Sequence, residues 1–164
     1  MPYRLTSQSR MALEATFQPA SPYEGGTVLS LVSERQIGHG TGAYQADKAY
    51  RATLSVGTGG SEIDLQTAVD AYGAAISFDE VVAFAFAAAE DNTAAVNVTG
   101  GASNAWEAIL LATGDGLKLP PGARIQYEAP LDGSLPVTGS TKTIKFAAAS
   151  GTQSVDVLFI GRSQ

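Results

Sequence analysis

The stretch YRATLSVGTGG, residues 50–60, decides the fold class. Tyr50, Ala52, Leu54 and Val56 alternate with Arg51, Thr53 and Ser55, the period of a strand with one buried and one wetted face. The run Gly57-Thr58-Gly59-Gly60 then turns the chain. The same unit, a short alternating or apolar run closed by a turn signal, recurs to the end of the sequence. Strands are predicted over Val81 to Ala88, Ala94 to Thr99, Ala105 to Ala112, Gly116 to Leu119, Arg124 to Glu128, Leu135 to Thr138, Thr143 to Ala148 and Ser154 to Ile160. Gly100-Gly101, Asp115-Gly116, Pro120-Pro121-Gly122, Asp132-Gly133 and Ser150-Gly151 separate them, and Asp-Gly is a strong tight-turn signal because glycine takes positive φ without steric cost. This rhythm predicts an all-β fold, an antiparallel β-sandwich of the jelly-roll kind, over residues 49–164. Leu54, Phe84, Phe86, Ile125, Phe146 and Ile160 are expected inside it.

Two segments interrupt the rhythm. Glu62 to Leu65 reads as a short extended piece, and Asp64 then caps a one- or two-turn helix over Leu65 to Tyr72, closed by Gly73 in the left-handed conformation. Residues 81–88 are apolar on both faces, with Val82, Phe84 and Phe86 on one and Val81, Ala83, Ala85 and Ala87 on the other. Alanine favours helix, but the valines and phenylalanines are strand formers flanked by turn signals, so a strand is expected. A strand apolar on both faces lies centrally, or beneath an arm or a neighbouring subunit.

Residues 1–48 read differently and are assigned to an extended N-terminal arm. Met11, Leu13, Ala15 and Phe17 alternate with Ala12, Glu14 and Thr16, giving one strand. Pro19, Pro22 and Gly25-Gly26 break the chain, and Val28 to Val32 is a second strand candidate. Residues 33–49, SERQIGHGTGAYQADKA, show little periodicity and are expected to form a long loop, a length that is usually functional or ordered by a partner.

Composition narrows the function. The chain has 164 residues, 45% of them hydrophobic, enough to bury a core. Only 16% are charged, well below the usual quarter, so either a partner covers much of the surface or a neutral Ser/Thr surface faces water. The formal net charge of −6 argues against affinity for nucleic acid or anionic membrane. The apolar run from Val81 to Ala89 is too short to span a bilayer. MPYRLTSQSR, residues 1–10, has no apolar h-region, and no signal peptide is expected. With no cysteine there is neither disulfide nor thiolate chemistry.

Catalytic material is scarce. His39, the single histidine, sits in Ile37-Gly38-His39-Gly40-Thr41-Gly42 and has no second histidine to share a metal with. The glycines at 38–42 and 57–60 lack the Gly-Lys-Ser/Thr of a phosphate loop. Glu90, Asp91 beside Asn92, Asp115 and Asp132 offer loop oxygens for calcium, yet none has EF-hand spacing, and turn chemistry is the simpler reading. No carboxylate pair is singled out for glycoside hydrolysis, and no serine lies in a Gly-x-Ser-x-Gly elbow. Asn97-Val98-Thr99 matches a glycosylation sequon. Trp106 and Tyr127 are the aromatics that could stack on a sugar, with a core role the more ordinary reading for Trp106. No enzyme is therefore expected, and no catalytic, cofactor or metal residue is assigned.

One ordered set of motifs carries more. It reads Ile63-Asp64-Leu65, Tyr72-Gly73, Ile76-Ser77-Phe78-Asp79-Glu80-Val81, Gly100-Gly101-Ala102-Ser103-Asn104, Pro120-Pro121-Gly122, Pro136-Val137-Thr138 and Ile160-Gly161-Arg162-Ser163. Over residues 50–163 this resembles small virion proteins of tailed bacteriophages of the capsid cement, or decoration, type. Those chains share an I-D-L, a G-x-x-I-S/T-F-x-x-V lead into a strand, a P-G-G turn, a V-T and a closing I-I-G-x-S. Here the turn is Pro121-Gly122-Ala123, without the second glycine, and the close is Phe159-Ile160-Gly161-Arg162-Ser163. The resemblance implies a protein on the outer surface of the virion capsid. It would bind the assembled head and bridge major capsid protein subunits, itself a homo-oligomer, dimer or trimer, with no cofactor. The alternative is a head-fibre or tail sandwich module that binds host-surface glycans. An exposed Trp106 or Tyr127 on a concave face would favour that alternative, and their burial the cement role.

Overall fold

In the computed structural model, which describes residues 7–17, 27–69, 73, 75–110, 112, 114–131, 133 and 135–163, with side chains from Ile37 onward, the alternating runs become strands and no described residue is helical. In chain order they are β1 (Ser7–Phe17), β2 (Thr27–His39), β3 (Gln45–Ala46), β4 (Lys48–Val56), β5 (Ser61–Asp64), β6 (Ala68–Val69) and β7 (Ala75–Ile76). There follow β8 (Glu80–Ala88), β9 (Val96–Gly100), β10 (Gly116–Leu119), β11 (Arg124–Glu128), β12 (Thr143–Ala148) and β13 (Gln153–Arg162).

Eight of these form two four-stranded antiparallel sheets, ordered β4-β13-β8-β11 and β5-β12-β9-β10. Counted along the chain, the first sandwich strand pairs with the eighth, the second with the seventh, the third with the sixth and the fourth with the fifth. That nesting is the jelly roll: a long two-stranded ribbon folded over on itself. The expected fold class is thus the observed one.

The inner faces meet in one apolar core. Val56, Phe84, Phe86, Val155, Val157 and Phe159 face Ile63, Val96, Val98, Ile144 and Phe146. Phe86 packs edge-on to Phe146 across the two sheets at 5.1 Å between ring centroids. Trp106 comes from a connection, not a strand. It is buried edge-on against Phe84 and Phe159, and its Nε1–H donates to the Pro136 carbonyl at 3.1 Å. Of the expected interior residues, Phe84, Phe86 and Phe146 lie in this core. Leu54 and Ile125 are half-buried because β4 and β11 are the edge strands of their sheet. Ile160 is buried, but on the opposite face, in a second cluster with Ile37, Ala46, Val82 and Ala83.

The structure corrects five local expectations. Residues 33–49 are not one long loop. β2 runs on to His39 because β1 pairs with it as far as Ile37, and the turn is confined to residues 40–44. The helix over Leu65 to Tyr72 is absent from its described part. Asp64 does accept the Gln66 N–H at 2.9 Å, but this closes a turn that leads into the β6–β7 hairpin. Gly73 has φ +83°, as expected, while residues 70–72 lie outside the described residues. Residues 105–110 form a connection that bridges Thr143 only at Ala105, because burying Trp106 turns the chain inward. At Leu135 to Thr138, Pro136 cannot donate to a ladder, and only isolated bridges form.

The fifth correction lies inside β8. Its register with β13 runs Phe159↔Phe84 and Ile160↔Ala83, then slips to Gly161↔Val81. Val82 is the extra residue of a β-bulge, so strict alternation ends there. Val81 therefore turns into the main core and Val82 into the second cluster, the reverse of the assignment by period alone. Phe84 contacts four other rings, and Phe84→Ala should lower unfolding free energy by about 3–5 kcal/mol in urea titrations, with the β circular dichroism spectrum retained.

Candidate interaction surface

The second apolar cluster marks where the arm joins the sandwich. Ile37, near the end of β2, and Ala46, in β3, are buried against Val82, Ala83 and Ile160 on the outer face of the β4-β13-β8-β11 sheet, with Leu158 packed alongside. Small residues at Ala83 and Ala46 allow this close seating. The arm therefore covers one end of β8, the strand whose two apolar faces required a cover.

Polar contacts lock the same joint. Arg162, at the end of β13, is fully buried and lies directly across from Glu80, the first residue of β8. Its Nε and Nη2 reach Glu80 Oε2 at 2.9 and 2.8 Å. Nη2 also donates to the Leu131 carbonyl at 3.0 Å, and Nη1 donates to the Gly42 carbonyl. One guanidinium thus ties together β8, β13, the turn below the arm and the segment after β11. The planar fork of arginine suits several acceptors in fixed directions. Gly161 makes the approach possible: a Cβ there would lie 2.3 Å from the Glu80 carbonyl oxygen and 2.4 Å from the Phe78 ring.

The next residue completes the joint. The Ser163 N–H and hydroxyl donate to the two Asp47 oxygens at 2.9 and 2.6 Å, and the Asp47 N–H donates to the Gly161 carbonyl. The Tyr44 N–H donates to the Pro130 carbonyl at 2.8 Å. Burial pushes the Asp47 carboxyl up, but the Ser163 hydrogen bonds and the Lys48 ammonium at 3.2 Å outweigh it, and its pKa ends below the ordinary value.

Above this root, β1 and β2 form an antiparallel ladder of eleven paired positions, from Ser7↔Ile37 to Phe17↔Thr27. At strand rise that is roughly 35 Å of ribbon. Among the described residues neither strand pairs with a strand of the sandwich, and β2 shares only its last residues with β3.

The residues singled out for chemistry do not gather. His39 is exposed at the end of β2, and among the described residues no three His, Cys, Asp or Glu side chains are placed to hold a metal ion. Asp115 accepts the Ala112 N–H, and Asn92 exchanges two hydrogen bonds with the Ser154 backbone, so both serve turns. Glu90 and Asp91 are exposed, and Asp132 lies outside the described residues. Trp106 is in the core. Tyr127 is 46% exposed but lies flat on Phe84, 5.6 Å between centroids and 11° between planes. The Glu80–Arg162 pair was not singled out from the sequence. The two residues stand 82 positions apart, and each alone reads as an ordinary charge at a strand end. Compared with family models, curated proteins and solved structures, the chain matches none.

Removing one partner of a buried pair leaves the other charge without compensation. Arg162→Met should therefore cost about 3–5 kcal/mol of stability and speed amide exchange in the 40–47 turn, read by urea titration and hydrogen exchange. The lowered Asp47 pKa contributes stability above the unfolded-state value near 3.8, and that contribution is lost as pH falls through the folded value. A carboxyl NMR titration should show Asp47 ionised below the normal aspartate range, and Ser163→Ala should move it up.

Proposed function

We propose that this protein is a capsid cement protein of a tailed bacteriophage, which binds the outside of the assembled head and bridges major capsid subunits. The observation that carries the reading is the β1–β2 ribbon, set on a locked root and unpaired with the sandwich among the described residues. A rigid jelly roll supplies a footing, and the ribbon offers main-chain pairing to a neighbour. The motifs that resemble decoration proteins also fall at one place. Ile76 to Val81, Pro136 to Thr138 and Ile160 to Ser163 converge on the root: the Asp79 N–H donates to the Arg162 carbonyl, and the Val137 N–H to the Asp79 carbonyl. Low charge and an acidic balance agree with a surface that meets protein and avoids packaged DNA.

Such a protein works by linkage. It binds the assembled, expanded shell and not the dissociated subunits, so binding stabilises the shell, and repetition over symmetric positions multiplies the effect. The glycan-binding alternative draws on Tyr127 alone, because Trp106 is inside the core.

Purified protein mixed with shells lacking it should occupy symmetry-related positions and raise the temperature of shell disruption. Deleting residues 1–20 should leave the sandwich folded and weaken shell affinity at least tenfold, about 1.4 kcal/mol. His39→Ala should leave it unchanged, and moderate salt should weaken it little. Absence from the shell, or localisation to a tail tip with glycan binding, overturns the reading.

A further inference from the structure

We infer that Tyr44 is a binding anchor which, with Leu131, fits an apolar depression on a capsid subunit. The inference rests on the cement reading and deepens it by naming the residues that make the contact. Four large apolar side chains are exposed among the described residues: Tyr44, Val69, Tyr127 and Leu131. Tyr127 is taken up by its stack on Phe84, and Val69 belongs to the β6–β7 hairpin. Tyr44 and Leu131 are neighbours at the root. The Tyr44 N–H donates to the carbonyl of Pro130, the residue before Leu131, and the two side chains are 49% and 56% exposed.

Tyr44 is held there at a conformational cost. Two non-glycine residues among the described ones have positive φ, Asn104 at 52° and Tyr44 at 59°. Asparagine tolerates the left-handed region, whereas a bulky aromatic residue there is an outlier. Glycine is in supply nearby, at 38, 40 and 42, yet the left-handed position at 44 carries a ring. Its two bonds in the root are made by its backbone: besides the donation to Pro130, its carbonyl accepts the Gly38 N–H at 2.9 Å. Glycine would make both bonds without strain. A strained position of this kind points to a task for the side chain outside the fold. The surroundings fit a protein partner. Arg162 grips the Gly42 and Leu131 carbonyls, so both sides of the patch are fixed beforehand and little freedom is lost on contact. Tyrosine is common in binding hot spots because its rigid ring fills a pocket with few torsions to freeze. GTGAYQ, residues 40–45, carries no charge, and a leucine side chain offers a sugar no hydrogen bond. A ring and an aliphatic side chain in uncharged surroundings suit the apolar centre of a protein interface.

The test compares the full chain with its variants on purified shells lacking the protein. Tyr44→Gly should unfold at the same or a higher urea concentration, because the strain is relieved. It should nevertheless lose about tenfold or more in shell affinity. Tyr44→Phe should bind like the unmodified chain. Leu131→Ser should also weaken binding, with its urea midpoint unchanged. If the unmodified chain binds shells and Tyr44→Gly binds them equally well, the anchor is overturned while the cement reading stands. A lower urea midpoint for Tyr44→Gly also overturns it, since the ring then serves the fold. Glycan binding by the unmodified chain that Tyr44→Gly abolishes gives the ring to a sugar and overturns it too. An unmodified chain that does not bind shells overturns both.

Discussion

The buried contact between Glu80 and Arg162 is the constraint on which the arrangement of this molecule depends. Taking both charges out of water costs several kcal/mol per ion, and well-packed apolar residues would often do as well for stability alone. What the pair adds is direction. Apolar burial is non-directional, so the Ile37 and Ala46 contacts alone would let the arm slide over the outer sheet. A guanidinium shared among a carboxylate and the carbonyls of Gly42 and Leu131 accepts one geometry, and it holds four separate stretches of chain in it.

The two-sided character of β8 follows from the same joint. Toward its C-terminal end, Phe84, Phe86 and Ala88 fill the core while Ala85 and Ala87 are only half-covered. Toward its start, the bulge at Val82 and the close approach of Gly161 turn the strand so that both faces are enclosed, one by the sandwich and one by the arm. A bulge and a glycine at the meeting of sheet and arm are thus part of one device, which changes the face a side chain presents where a second layer begins.

Much of the fold was legible because strand alternation and turn residues are local signals. YRATLSV at 50–56 and VVAFAFAA at 81–88 state their periods, and Asp115-Gly116 and Pro121-Gly122 state their breaks. The sheet order was not legible, since it depends on which distant strands meet. The β2 extension was hidden because SERQIGH has no apolar period of its own, and only its partner β1 makes it a strand. Asp64 announced a cap, but the same side-chain hydrogen bond serves a turn as readily as a helix. The joint stayed hidden for a related reason. Glu80 and Arg162 lie 82 positions apart, and each alone reads as an ordinary strand-end charge. No local pattern marks a pair that only the completed β8–β13 register creates.

That nested strand order also governs how the chain reaches its native state. β4 needs β13, and β5 needs β12, so each sheet joins strands from opposite ends of the sandwich sequence. Closing such long loops precedes any gain from the contacts they make, which places jelly rolls among the slower folders. The β1–β2 hairpin is local and closes early by comparison. During synthesis, then, the ribbon forms first, with its edges open, on a body that cannot yet close. The Arg162 that locks its root is made only after the other strands of the sandwich. The molecule therefore acquires its rigid geometry in one late step, when β13 slides between β4 and β8, and until then the open edges are those most exposed to mispairing.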